Sequence, residues 1–272
     1  MASLMEHITG LHARTRYSAR PIYLVVRAVG WAAFRAYGKL QRFELPSSEP
    51  HTFRYLTSIY EPGTTALVKS LLKPGMVAVD VGAHAGYYTR LFAKLVGSGG
   101  AVYAFEPARE MFSLLERNTA MYPNVNRYKM ALLDKGRDVV FYESSNSVTN
   151  SLWENNPRGQ STSSNRVRAA TLDEIIQDVC PDLVKIDVEG AELEVLKGME
   201  KILSRPKSPV LIVEYNSSCL CGRGLDPTLL PRNLADRGFK LSLIHESNRM
   251  IEPIDADSVS PSLKNNLLCQ RA

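Results

Sequence analysis

No paired CxxC occurs in this sequence, and its four cysteines (Cys180, Cys219, Cys221 and Cys269) are too few and too scattered for a zinc ribbon or a disulfide framework. They read as free thiols in a reducing, cytoplasmic compartment, with Cys219-Leu-Cys221 the one pair close enough for a weak metal or redox role. No GxGxxG is present either, so the glycine pattern that brings bare backbone against a dinucleotide pyrophosphate is missing. Acids are nearly absent from the first 43 residues, where Glu6 faces seven basic side chains for a net +6. Because the whole chain totals +5, the remainder carries −1. The basic balance therefore belongs to that segment and gives no reason to expect nucleic acid on the main body. The apolar stretch Pro21–Leu40 is interrupted by Arg27 and Arg35, and its uncharged runs fall far short of the ~20 residues needed to span a bilayer.

What is present is a large apolar fraction. At 272 residues and 44% hydrophobic, the chain can bury the core of one large α/β domain or two small ones. Residues 1–63 form a basic extension. Its amphipathic helix, with Trp31 and Tyr37, fits a peripheral contact with an anionic membrane, a targeting peptide, or a helix packed on the domain. From residue 64 to residue 272 the pattern becomes regular. A helix at Thr64–Leu72 leads to strand Val77–Val81, helix Gly86–Val96, strand Ala101–Phe105, helix Ala108–Tyr122 and strand Val125–Leu132. Residues 137–170 read as an inserted hairpin around a Ser/Asn-rich loop. Helix Thr171–Val179, strand Leu183–Val188, helix Ala191–Ser204, strand Val210–Tyr215, helix Pro227–Arg237, strand Phe239–His245 and a last strand Asn266–Gln270 complete the series. Near-continuous apolar strands alternating with helices predict a doubly wound α/β fold with a mostly parallel sheet.

Ligands of such sheets sit at the carboxyl ends of the strands, and four strand ends here turn polar: Asp80 to Gly86, Glu106, Asp187 with Glu189, and Glu214 with Asn216. The turn Asp80-Val-Gly-Ala-His-Ala-Gly86 puts an acid ahead of its glycines. An acid there repels pyrophosphate but suits the ammonium of an amino-acid tail, which favours S-adenosylmethionine over a dinucleotide. Glu106, twenty residues past Gly86, is placed to accept both hydroxyls of a ribose. His84 occupies a position where the left-handed conformation is expected. Period-two alternation predicts Lys185, Asp187 and Glu189 on one side of their strand, where three charges are costly to bury without a use. The bland alternative is an Asp187–Lys185 ion pair, with Glu189 serving the next helix's N-terminus. Glu214 has a structural ion pair as its own bland reading.

Val77-Ala-Val-Asp-Val-Gly-Ala-His-Ala-Gly-Tyr-Tyr-Thr89, Val102-Tyr-Ala-Phe-Glu-Pro107, Thr171-Leu-Asp173, Asp182-Leu-Val-Lys-Ile-Asp-Val-Glu-Gly-Ala-Glu192 with Leu196-Lys-Gly198, and Val210-Leu-Ile-Val-Glu214 together resemble the FkbM family of S-adenosylmethionine-dependent methyltransferases over about Leu72 to Asn216. His84 departs from the asparagine common there. The resemblance implies a Rossmann-like, seven-stranded methyltransferase sheet with a last antiparallel strand, and methylation of a hydroxyl on a sugar, polyketide or other small-molecule or glycolipid acceptor. It implies cofactor contacts from Asp80, Gly82, His84, Gly86, Thr89 and Glu106, with Ala131 and Leu132 against adenine and Asp134 within reach of its amino group. Asn118 reads as part of a helix cap. Asp187 is the first candidate for general base, with Glu189, Glu214 and His245 in reserve. No metal is required by the spacing, although an acidic cluster could hold a divalent cation. The loop Asn150-Ser-Leu-Trp153 reads as a lid or a solvated loop. Two other functions remain compatible with the residues: an NAD-dependent oxidoreductase of similar fold, and a non-catalytic protein bound at a membrane surface.

Overall fold

The computed structural model describes residues 43–44, 60–144, 147–154, 157, 160–259 and 264–271. The chain divides into two units, residues 1–43 and 44–272, and every described helix and strand belongs to the second. The expected basic helix at Pro21–Leu40 lies outside the described residues.

The first described helix is α1 (Pro62–Leu71). Strand β1 (Val77–Val81), helix α2 (Tyr87–Val96), strand β2 (Ala101–Phe105), helix α3 (Arg109–Thr119) and strand β3 (Val125–Tyr128) come after it. Then come the short β4 (Ala131–Leu132), the hairpin strands β5 (Arg137–Ser144) and β6 (Ser161–Ala170), and one-turn α4 (Leu172–Ile175). The last part comprises β7 (Leu183–Ile186), α5 (Glu192–Lys197), α6 (Glu200–Leu203), β8 (Val210–Asn216), α7 (Ser217–Gly222), α8 (Leu229–Asp236), β9 (Lys240–Ile244), β10 (Ile251–Ile254) and β11 (Lys264–Gln270).

The main sheet runs β10-β9-β11-β8-β7-β1-β2-β3. Pairs within β8-β7-β1-β2-β3 are parallel, and β11 runs antiparallel between β8 and β9. The expected Rossmann-like sheet with one antiparallel strand is thus present. An eighth strand, β10, adds to the expected seven by folding back on β9. Alternate side chains divide between two buried layers, as a sheet covered on both faces requires. Val79, Val81, Val184, Ile186, Leu211 and Val213 enter one layer, whereas Ala78, Val102, Leu183, Ile212 and Leu268 enter the other with Phe92 of α2.

Three elements break where continuity was expected. The strand over Val125–Leu132 ends at Tyr128, whose carbonyl accepts the amides of both Glu106 and Met130 (3.1 Å each). This tight turn sends Ala131–Leu132 into a second sheet, ordered β4-β6-β5. The helix over Ala191–Ser204 divides at Gly198, where a Cβ would lie 1.9 Å from the Leu133 carbonyl oxygen, so only glycine allows the approach. The strand expected to run to Val188 stops at Ile186, and Glu189 lies in the left-handed region (φ 51°). Strict alternation therefore does not carry as far as Glu189.

Helix α1 has no local side-chain cap. Glu246, in the turn between β9 and β10, accepts from the Gly63 amide at 2.7 Å and from the Thr64 hydroxyl at 2.5 Å. A carboxylate at a helix N-terminus answers both its open N–H groups and its dipole. Asn266 of β11 donates to the Thr64 hydroxyl at 3.0 Å, so α1 is anchored beside the carboxyl ends of the strands.

Candidate functional site

A cleft opens at the carboxyl ends of β1, β2, β7 and β8. Its first half is built on backbone. The Gly82 and Ala83 amides both donate to the Phe105 carbonyl (3.0 and 2.9 Å), which folds the turn after β1 against the end of β2. Gly82 has φ 81°, and a Cβ on it would come within 1.9 Å of the Asp187 carbonyl oxygen; both facts demand glycine. His84 has φ 51° and takes the left-handed role expected of it. Its amide donates to Glu106 Oε2 at 2.8 Å, and the Ala108 amide donates to Glu106 Oε1 at 2.8 Å. Each Glu106 oxygen thus has one backbone donor and keeps a further acceptor position. Burial pushes the Glu106 carboxyl up to about 7, with the Ala108 and His84 amides pulling the other way.

Gly82, His84, Glu106, Ala131 and Leu132 line the cleft, joined by the apolar side chains of Phe105, Met130 and Phe141. Asp80, Gly86 and Thr89 lie outside its wall. Asp80 is buried beneath the turn, where it accepts from the Thr89 hydroxyl at 2.6 Å. Burial pushes it up to about 6 against the opposing charge of Lys185. Gly86, at φ 90°, starts α2. These three residues support the turn from below. Asn118 is no cap: its buried side chain donates to the Ala85 and Glu44 carbonyls at 2.7 and 2.8 Å, fixing the back of the same turn. Asp134 pairs with Arg137 at 2.6 Å, away from the cleft wall.

The second half is built on charge. Asp80 and Lys185 are partners in the β1–β7 register, and Glu214 and Asn266 are partners between β8 and β11. Lys185 is 2% exposed; its Nζ lies 2.7 Å from Asp187 Oδ2 and 4.7 Å above the Tyr88 ring. The ion pair weighed as the bland reading of Asp187 is therefore formed, yet Asp187 also faces the cleft together with Glu189 and Glu214. Burial works against the Asp187 charge, but Lys185 outweighs it and holds the carboxyl below its ordinary range. Glu214 behaves oppositely. Burial and the neighbouring Asp187 and Glu189 push it well above the carboxylate range, despite Lys264 at 2.9 Å from its Oε1. Glu189 stands two residues ahead of Ala191, the N-cap of α5, and that cap makes no side-chain hydrogen bond.

Tyr60, Glu61 and Lys264 also line this half, and sequence reasoning missed all three. Glu61 accepts from the Tyr88 hydroxyl at 2.7 Å. Only a position beside the Pro-Gly helix start marked it, and nothing marked Lys264 except its approach to the last strand. His245, held in reserve as a base, is not part of the cleft wall; its Nε2 lies 2.7 Å from Glu252 Oε2 of β10.

Over the cleft lies the loop after β5. Ser147 Oγ is 2.9 Å from His84 Nε2, the Ser151 hydroxyl donates to the Glu189 carbonyl at 3.1 Å, and Asn150 and Leu152 contribute to the lining. The Trp153 ring lies 3.8 Å beneath the Arg223 guanidinium, which is paired with Glu194.

Comparison with known proteins shows the family. A family model described as the methyltransferase FkbM domain matches residues 80–240. The hexuronic acid methyltransferase AglP of Haloferax volcanii is 30% identical over 161 residues, which is 58% of this chain and 60% of that protein. "Methyltransferase 1" of Beauveria bassiana is 29% identical over 145 residues, covering 45% of this chain and 57% of that one. The matches thus span about three fifths of these relatives' length. Among solved structures, an S-adenosylmethionine-dependent methyltransferase from Aquifex aeolicus covers 87% of this chain and 96% of its own at 17% identity and a TM-score of 0.44.

Proposed function

The chain belongs to the FkbM methyltransferase family, a family dependent on S-adenosylmethionine, and from that premise we propose that it methylates a hydroxyl oxygen of a sugar or other small hydroxylated acceptor. The observation that carries the reading is one cleft with two chemically different ends. At one end Glu106 offers two oriented oxygens, a fit for a vicinal diol such as a ribose. At the other stand three carboxylates beside the space where an acceptor would enter.

The residues present suit the methyl donor. Glu106 would take the ribose hydroxyls. The apolar side chains of Phe105, Met130, Leu132 and Phe141 would take a flat heterocycle, and the turn at Gly82 to His84 would lie against the amino-acid tail. S-adenosylmethionine would supply a methyl group already activated by positive sulfur, so the chain's task is alignment, exclusion of water and removal of one proton. An alcohol attacks well only if its proton leaves as the bond forms. Asp187, whose charged form Lys185 favours, is assigned that proton, whereas Glu214, whose surroundings push its carboxyl well above the ordinary range, is not. The loop carrying Asn150 and Leu152 would close the space over the reactants.

The polar acceptor end, and a sugar-modifying relative, favour a glycan acceptor. No helix among the described residues is long and apolar enough to cross a membrane, and a peripheral contact through residues 1–63 remains part of the proposal. Calorimetry with S-adenosylhomocysteine, with NADH as the control, tests the cofactor. Tight NADH binding with none for S-adenosylhomocysteine would overturn the reading. Methyl transfer to a panel of neutral sugars, uronic acids and polyketides then tests the acceptor.

A further inference from the structure

Asp187, Glu189 and Glu214 each offer one carboxylate oxygen, and the three oxygens lie within 4.8 Å of one another. Each of the two paired acids spends only one oxygen on its lysine: Asp187 Oδ2 on Lys185, and Glu214 Oε1 on Lys264. A separate sign of a missing partner comes from Glu214 itself. The residue is 5% exposed and lines the cleft, yet its Oε2 is buried with no hydrogen-bond partner among the described residues. A carboxylate oxygen left bare at that depth is costly. Neighbouring charge points the same way, since Glu61 faces Lys185 and Asp187 as well. With Glu214 ionised, as a bound cation would hold it, four carboxylates would share two ammonium groups, and the local excess would be negative by about the charge of one divalent ion.

From this arrangement we infer that Asp187, Glu189 and Glu214 form a divalent-cation site at the acceptor end of the cleft. The inference rests on the proposed methyl transfer only for its purpose, not for its geometry. All three ligands are hard oxygens, which suit Ca²⁺, Mg²⁺ or Mn²⁺ rather than softer ions. At the ~2.1–2.4 Å bonds of these ions, ligand oxygens on opposite sides of one ion lie about 4.2–4.8 Å apart, a separation within which the three carboxylate oxygens already stand. A cation here would coordinate the acceptor hydroxyl and lower its pKa.

The test is titration of the chelator-treated full chain with Mn²⁺, read as loss of the free-ion electron paramagnetic resonance signal. One Mn²⁺ per chain is expected, displaced by Ca²⁺, with binding weakened at least tenfold in Glu214→Gln and in Asp187→Asn. Because those two changes disturb the lysine pairs, Glu189→Gln provides a third variant that leaves both pairs in place, and it too should bind at least tenfold more weakly. An undiminished free-ion signal with the wild-type chain, or equal binding by wild type and all three variants, would overturn the site. Calorimetry with S-adenosylhomocysteine is run in parallel. Ion binding that depends on the carboxylates, together with no binding of S-adenosylhomocysteine, would uphold the cation site while refuting the methyl-donor reading.

Discussion

The two ends of the cleft are held by different means. At the glycine turn, polar groups are satisfied by backbone: Glu106 by the amides of His84 and Ala108, and the Gly82 and Ala83 amides by the Phe105 carbonyl. At the acid cluster, satisfaction comes from charge, with Lys185 and Lys264 arriving from separate strands and one Glu214 oxygen left bare. Backbone amides hold a fixed direction whatever the ligand, which suits a constant cofactor. Charge pairs on side chains can be redistributed by a proton, an ion or a substrate, which suits a site where a proton has to leave.

The largest effect should come from disabling the charged end alone. Asp187→Asn is expected to lower turnover by ~10²–10⁴-fold while S-adenosylhomocysteine still binds; full activity on an identified acceptor would remove Asp187 as the base. At the other end, Glu106→Ala should weaken S-adenosylhomocysteine by about 10–100-fold, the worth of hydrogen bonds to a charged acceptor. Calorimetry checks this, and an unchanged affinity would erase the proposed division between the two ends.

A smaller effect concerns pH. The raised Glu106 carboxyl, near 7, leaves much of the free protein protonated there at pH 6, and only the ionised form accepts both hydroxyls. Affinity for S-adenosylhomocysteine should therefore rise by up to roughly tenfold from pH 6 to 8 and level off above, and Glu106→Gln should flatten the profile. Stability of the unliganded protein should move the other way. Asp80 and Glu192, raised by burial to about 6 and about 7, and Glu106 favour the folded state when protonated. Their contribution is present below the ordinary carboxylate range and is lost as pH rises through 7. Least affected should be variants outside the cleft. Asp134→Ala breaks a half-exposed pair with Arg137 and should alter thermal stability by less than about 0.5 kcal/mol.

The same contrast explains what could be read from the sequence. Val77–Val81 and Ala101–Phe105 were legible end to end because their apolar runs are buried on both faces, and the roles of Gly82 and His84 followed from turn geometry encoded within seven residues. Lys264, Glu61 and Phe141 were not legible, since each reaches the cleft through a pairing distant in sequence: β11 on β8, Glu246 on α1, and the β5–β6 hairpin. The breaks at Tyr128 and Gly198 were hidden for the same reason, because each depends on a carbonyl or amide contributed by another element. His245 looked available only because β10, whose short run Ile251–Ile254 contains a proline, was not recognised as a strand able to bring Glu252 to it.

The antiparallel course of β11 has a consequence for how the molecule matures. Lys264 meets the ends of β7 and β8 only because β11 enters the sheet from the opposite direction, between strands made some twenty and fifty residues earlier. On the ribosome, the glycine turn and Glu106 can assemble while the rest is still being synthesised. The acid cluster has to wait for residues 264–270 to emerge and for β8 and β9 to part around them. The protein should thus acquire its grip on a methyl donor before it acquires the means to use it, and a nascent chain halted before residue 264 would bind without turning over.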